Sequence, residues 1–159
     1  MLCFQNGVEN EAKYAEILGH EKVIPCTVTT AVRKIQRGQV IVEKMRGIGV
    51  GLHPGGFELQ RVLNQANLNA KLFEQPFWMK WSKLLTNLLA NASSAILDLT
   101  PETIFHHKEL YKLEVMQVRE ALSVMNALSL GIVNLPGTPV IPLILILKYV
   151  PPNISRPLI

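Results

Sequence analysis

The sequence predicts an α/β region followed by an all-α region. In the first third of the chain, short β-type runs alternate with helical ones, whereas the long periodic segments after residue 57 all have helical spacing. Apolar residues make up 48% of the 159 positions, which is enough to bury a sizeable core.

The α/β region begins with the run MLCF, a turn at QNG and a helix from about Glu9 to Leu18. Three further β-type runs follow, KVIPCTVTTAV, GQVIVE and GIGVGL. The β-type pattern stops at HPGG, residues 53–56. We therefore predict a domain boundary there, with residues 1–56 in the α/β part and residues 57–159 in the helical part.

In the helical part, apolar periodicity predicts helices near 56–67, 76–97 and 108–130. A short helix should begin at LTPETIF, because Thr100 can cap it and Pro101 suits the first helical position. The apolar run PVIPLILILKYV, residues 139–150, is too short to span a bilayer and is interrupted by Pro142. We expect this run to form a buried helix or strand.

Composition narrows the classes of function. Sixteen Lys and Arg against twelve Asp and Glu give a formal charge of +4, which suits an anionic small molecule, but no basic cluster indicates nucleic-acid binding. Cys3 and Cys26 form no CxxC pair, and no secretory leader is evident, so we expect a reduced cytoplasmic protein. His106 and His107 are adjacent and therefore cannot form a metal-binding pair one helical turn apart.

The segment WSKLLTNLLAN, residues 81–91, carries polar side chains in an apolar helical pattern. With Lys83 at zero on a helical projection, Asn87 lies at about 40° and Asn91 at about 80°. The apolar residues occupy the opposite side. Such a polar stripe usually faces solvent, but Asn is a weak helix former, so two of them on one line favour a fixed hydrogen-bonding partner.

Several motifs together carry a family resemblance. FQNG before a helix, VTTA, and the pattern W-x-K-L-x-x-N-x-x-x-N from Trp81 to Asn91 resemble the ketopantoate reductase (2-dehydropantoate 2-reductase) family, and LPGTPV resembles a helical-domain segment of its long-chain members. The resemblance covers nearly the whole chain. It implies the C-terminal part of a Rossmann-type NAD(P)-binding domain followed by a helical domain like that of 6-phosphogluconate dehydrogenase, with the active site between them.

The resemblance also implies an activity, the NADPH-dependent reduction of 2-dehydropantoate to pantoate in pantothenate and coenzyme A biosynthesis. In this sequence Lys83 matches the catalytic lysine, Asn87 and Asn91 match the substrate-binding asparagines, and Asn6 matches the asparagine near the nicotinamide end of the cofactor. The implied partner is a small 2-keto acid, with no nucleic acid and no membrane. A homodimer is compatible with the family.

The sequence departs from the family pattern in two places. A first strand leading into a GxGxxG phosphate-binding turn is not found, and GIGVGLHPGG is interpreted as loop and strand because it follows several strands. A later stretch with a substrate-contacting Ser and Glu is not found either. We therefore expect a chain truncated at both ends, which by itself does not bind NADPH tightly or turn over substrate.

Two other interpretations remain open at this stage. The chain could be a non-catalytic fragment or paralogue that serves as an assembly module. It could also belong to a reductase of a different 2-keto acid within the same fold. The Lys-Asn-Asn stripe favours an enzymatic origin, because assembly alone would not require it.

Overall fold

The computed structural model describes residues 1–156, and residues 157–159 of the predicted helical part lie outside the described range. The first half of the chain contains β1 (Leu2–Cys3), α1 (Asn10–Leu18), β2 (Ile24–Val28), β3 (Ala31–Gln36), β4 (Gln39–Lys44), β5 (Ile48–Gly51), α2 (Gly56–Gln65) and β6 (Ala70–Phe73). The second half contains α3 (Pro76–Leu88), α4 (Asn91–Leu97), α5 (Pro101–His106), α6 (Lys108–Ala127), α7 (Val140–Tyr149) and α8 (Pro152–Ser155). An α/β part followed by helices confirms the predicted fold class.

Four of the strands form one mixed sheet in the order β1-β2-β5-β6. The pairs β1–β2 and β5–β6 are parallel, whereas β2 and β5 are antiparallel. Strands β3 and β4 form a separate antiparallel hairpin. The carboxyl ends of β1 and β2 therefore lie at the same edge of the sheet as the amino ends of β5 and β6.

Strand β6 was not predicted from the sequence. Its four residues, AKLF, are too few to show a period, and the sheet alone stabilises them through parallel pairing with β5. This strand follows the predicted boundary at residue 56, and helix α2 packs beside it. The division of the chain into domains at that residue stays a prediction.

The largest apolar core lies among the helices. Helices α3, α6 and α7 contribute its fully buried side chains, which are Met79, Leu85, Tyr111, Val115, Val118, Met125, Val140, Ile144 and Leu147. The apolar run at residues 139–150, for which the sequence allows a buried helix or strand, forms helix α7. Among the residues that the structure describes, no helix is both long and apolar enough to cross a membrane.

Helix α5 begins as its sequence predicts. The hydroxyl oxygen of Thr100 accepts a hydrogen bond from the backbone N–H of Thr103 at 3.2 Å, and Pro101 occupies the first turn. This cap satisfies one of the N–H groups that a helix leaves without an intrahelical partner.

The predicted single helix over 76–97 is wrong, because the chain breaks it into α3 and α4. Ala90 adopts a left-handed backbone conformation with φ of 62°. The cause is Glu114 of α6, whose buried carboxylate accepts hydrogen bonds from the backbone N–H of Ala90 at 2.6 Å and from the hydroxyl of Ser93. Charge-assisted bonds of this kind offset the cost of a left-handed residue, which is roughly 1–2 kcal/mol.

We expect Glu114→Leu to lower the free energy of unfolding by about 2–4 kcal/mol, because two buried donors lose a charged acceptor. Glu114→Gln should cost less, since its amide can still accept from Ala90 and donate to the oxygen of Ser93. Glu120→Gln, on the exposed side of the same helix, is the matched control. Denaturant unfolding measures all three, and a Glu114→Leu protein as stable as the control would contradict this role.

Candidate active site

The shared edge of the sheet collects polar residues from separate segments. Asn6 follows β1, Thr29 and Thr30 follow β2, and Arg46 precedes β5. The registers Cys3↔Pro25 and Val28↔Ile48 place all of these segments at the same end of their strands. Open α/β sheets bind ligands beyond the carboxyl ends of their strands, so this edge is the candidate site.

Helix α3 runs across the sheet toward that edge. At its beginning Pro76 packs on Gly51, where an added methyl group would lie 2.9 Å from the proline ring. Its next turn places the Met79 sulfur against Gly49, 2.5 Å from an added methyl group. The helix thus runs antiparallel to β5, and its next two turns carry Lys83 and then Asn87 to the edge where β5 begins.

The structure brings Asn6 and Asn87 together across 81 positions of sequence. The side-chain amide of Asn87 donates to the side-chain oxygen of Asn6 at 3.2 Å. Asn6 is exposed and Asn87 is partly buried. Each amide keeps further donor or acceptor capacity, so the pair can also bind a polar ligand at this edge.

Lys83 lies one turn before Asn87 on the same helix and is partly buried. Burial of the ammonium lowers the pKa of Lys83 from its ordinary value of 10.5, and the positive charge of Arg46 lowers it further. The charged form loses hydration and also faces a like charge. An amine of this kind releases a proton more readily than an exposed lysine.

Asn91 does not continue the line of Lys83 and Asn87. It is the first residue of α4, beyond the left-handed Ala90, and it is exposed. The helical projection assumed one continuous helix, and the break removes that assumption. The role of Asn91 in substrate binding stays a prediction.

A buried ion pair at this interface was not predicted. Lys80 of α3 lies 2.7 Å from Glu11 of α1, and both side chains are at least nine-tenths buried. The ammonium also donates to the carbonyl oxygens of Gln5 at 2.6 Å and Cys26 at 3.2 Å.

Lys80 fixes the backbone next to Asn6 of the candidate site. Gln5, whose carbonyl accepts from Lys80, directly precedes Asn6. Helix α3 therefore contacts two adjacent residues after β1. Lys80 donates to the backbone carbonyl of Gln5, and Asn87 donates to the side chain of Asn6. No single side chain could do both, because the two contacts lie two helical turns apart.

Two other motifs of the sequence meet at the same edge. The hydroxyl of Thr29, in VTTA, lies 2.8 Å from the carbonyl oxygen of Pro136, in LPGTPV. The hydroxyl of Thr30 accepts hydrogen bonds from the backbone N–H groups of Arg46 and Gly47 at 3.3 and 3.0 Å. Motifs far apart in the sequence thus build one surface.

Cys3, Cys26, His106 and His107 lie in surroundings that favour a structural role over a reactive one. Burial raises the pKa of Cys26 to about 12 and also raises the pKa of Cys3, so both are neutral thiols near pH 7. A ring nitrogen of His106 lies 2.8 Å from the Glu102 carbonyl oxygen, and His107 caps α6. Within residues 1–156, no cluster of His, Cys, Asp and Glu has an arrangement that could hold a metal ion.

Comparison with known families identifies the chain. The family "Ketopantoate reductase PanE/ApbA" matches residues 1–55, and "Ketopantoate reductase PanE/ApbA C terminal" matches residues 77–151. The chain belongs to the ketopantoate reductase family. The two matches follow one another in the order of the α/β part and the helices. A search of curated proteins finds no match.

Solved structures share this fold. A PanE/ApbA family ketopantoate reductase from Ralstonia eutropha JMP134 is similar with a TM-score of 0.76 at 21% identity, over 91% of this chain and 47% of that one. For a 2-dehydropantoate 2-reductase from Geobacter metallireducens GS-15 the TM-score is 0.76 at 23% identity, over 98% and 55% of the two chains. A D-mandelate dehydrogenase in complex with NADH gives 0.73 at 18%, over 92% and 49%.

The chain spans about half the length of these solved structures, from 47% to 55%. Identities between 18% and 23% show the shared fold and leave the substrate open. Ketopantoate reductases and a D-mandelate dehydrogenase thus share one architecture.

We expect Lys80→Met to lower the free energy of unfolding by about 3–5 kcal/mol, because it leaves the Glu11 carboxylate buried without its countercharge. The double variant Lys80→Met/Glu11→Leu should lose clearly less than the sum of the two single changes, since it removes both buried charges.

The exposed Glu9–Lys13 pair on α1 provides the control, and Lys13→Met should change stability by less than about 0.5 kcal/mol. Denaturant unfolding of the set forms a double-mutant cycle. Additive losses at Lys80 and Glu11 would show that the two groups are not coupled.

Proposed function

We propose that this chain supplies the substrate-binding and proton-donating part of a reductase that converts 2-dehydropantoate to pantoate with NADPH. The observation that carries the proposal is the meeting of Asn6, Lys83 and Asn87 at the ligand edge of the sheet, in a chain of the ketopantoate reductase family. Asn91 is the further substrate-binding residue of the proposal.

Lys83 is the proposed general acid. Hydride addition to a ketone carbon places negative charge on the carbonyl oxygen, and a nearby ammonium stabilises that charge before it transfers its proton from Nζ. A lowered pKa brings the proton-donating strength of Lys83 closer to what the reaction needs near neutral pH. Arg could provide the charge but would not release the proton readily.

Asn6 and Asn87 are proposed to orient the substrate. Amides can donate to the oxygens of an oxo acid and accept from its hydroxyl group, and they add no charge that would change the pKa of Lys83. Their mutual hydrogen bond at 3.2 Å holds both side chains at the edge of the sheet.

Among the described residues, only Asn6 is proposed to contact a nicotinamide cofactor. It would lie near the nicotinamide end, which would supply the hydride when the cofactor is bound. The N-terminus of α1 does not suit a pyrophosphate, because Glu9 stands at its cap and the first turn holds Glu11 in its pair with Lys80. We therefore assign no phosphate contact to these residues, and the choice of NADPH over NADH follows from the family alone.

A second candidate is the reduction of another 2-oxo acid. The similarity to a D-mandelate dehydrogenase favours this alternative, because that enzyme shares the architecture and acts on a different hydroxy acid. The assembly-module interpretation differs from both, since it predicts no binding of oxo acids. A homodimer and a cytoplasmic location belong to the proposal and are inferred from the family.

Calorimetric titration of the chain with 2-dehydropantoate tests the proposal. We expect binding that Asn87→Ala weakens by about tenfold, because losing one hydrogen bond to a charged or polar oxygen of the substrate costs roughly 1–2 kcal/mol. Asn126→Ala on α6 is the control, because that asparagine is exposed and is not one of the residues proposed to contact the substrate. Benzoylformate, the oxo acid that corresponds to mandelate, tests the second candidate. Binding of neither acid would favour the assembly module.

The proposed general-acid role of Lys83 predicts an effect on the rate of reduction and on its pH dependence. In the gene product that contains residues 1–159, Lys83→Ala should lower kcat for reduction by about a hundredfold or more, whereas Lys112→Ala on α6 should not. Reduction requires protonated Lys83, so kcat/KM should fall as pH rises through the lowered pKa, below the ordinary 10.5. Arg46→Gln removes one cause of the lowering and should move this fall to higher pH. A change confined to KM would contradict proton donation by Lys83.

A further inference from the structure

The backbone and Cβ atom of Arg46 are fixed by contacts with three other segments of the chain. Its backbone N–H donates to the hydroxyl of Thr30, and its carbonyl oxygen accepts from the side-chain amide of Asn69 at 2.5 Å. Gly137 packs directly on it, so that an added methyl group there would lie 2.8 Å from the Cβ atom of Arg46. Three separate segments thus fix the point from which this side chain extends.

The guanidinium of Arg46 has a buried N–H group without a hydrogen-bond acceptor among the described residues. Its Nε atom is buried, yet within residues 1–156 it has no hydrogen-bonding partner. The exposed Arg33 and Arg61 pair with Glu43 and Glu58, and Arg119 donates to carbonyl oxygens of α7 and its C-terminal end. A buried donor without an acceptor is destabilising, so an acceptor is expected there when the site is in use.

The position of Arg46 adds a second observation. It lies at the same edge of the sheet as Asn6 and close enough to Lys83 for their charges to interact. Neither cation makes a salt bridge among the described residues. Two cations close enough to interact in partly buried surroundings repel each other, and an anion bound between them would relieve that repulsion.

We propose that Arg46 binds the carboxylate group of the substrate. A guanidinium presents Nε–H and one terminal N–H in the same direction, which matches the two oxygens of a carboxylate. In a 2-oxo acid the carboxylate and the ketone oxygen sit on adjacent carbons. Arg46 therefore takes the carboxylate and leaves Lys83 for the ketone oxygen, an assignment that rests on the proposed function and explains why two cations adjoin.

Oxalate is a suitable probe, because it presents two adjacent carboxylates and cannot be reduced in the assay. We expect calorimetry to show oxalate binding to the chain, weakened at least about tenfold in Arg46→Gln by the loss of charge-assisted bonds. Arg46→Lys should recover only part of the affinity, since it keeps the charge without the paired donors. The matched control Arg33→Gln, on the exposed hairpin, should bind like the unmodified chain.

Three companion titrations separate the outcomes. The neutral lactone of 2-dehydropantoate should bind unmodified protein and Arg46→Gln equally, whereas 2-dehydropantoate should lose affinity in the variant. If oxalate binding depends on Arg46 but 2-dehydropantoate does not bind, the anion site stands and the proposed substrate is wrong. Equal oxalate affinity with and without Arg46, or no oxalate binding at all, overturns the inference. Tighter binding of inorganic pyrophosphate that depends on Arg46 would overturn the carboxylate assignment.

Discussion

The arrangement of the candidate site depends on one buried ammonium group. Lys80 extends from helix α3 and contacts Glu11 and the carbonyl oxygens of Gln5 and Cys26, so that a single side chain joins α3 to α1, to β2 and to the segment that follows β1. Burying two charges is costly and is tolerated only where each finds well-placed partners. Because these partners occupy fixed places, they give α3 a defined position against the sheet. The residues further along that helix are positioned by the same contacts.

The residues that face the site follow from that placement. Lys83 and Asn87 come one and two turns after Lys80, which carries them to the edge where Asn6 and Arg46 are found. The edge combines two cations with neutral amides. Without a bound anion, the repulsion between the two cations is unfavourable. A small anion with polar groups on adjacent carbons would relieve that repulsion and use the amides as hydrogen-bonding partners.

The break after α3 shows how the helical part adapts to this site. Glu114 directs the chain into a left-handed conformation at Ala90, so the polar line of α3 ends at Asn87 and Asn91 begins a new helix. A buried carboxylate from a distant helix is a costly means of turning a chain. The turn separates the directions of α3 and α4, and the position of Asn91 outside the line of α3 is the direct consequence.

The sequence by itself determined the fold class, the main helices and the residues that carry the family motif. Hydrophobic periodicity, the Thr100 cap and the pattern around Lys83 are local, and local signals can be identified along a single chain. Strand β6, the break at Ala90, the Lys80–Glu11 pair and the isolation of Arg46 could not be predicted. Each depends on a partner far away in sequence, and only the tertiary structure decides which distant carboxylate, carbonyl or strand a given residue meets.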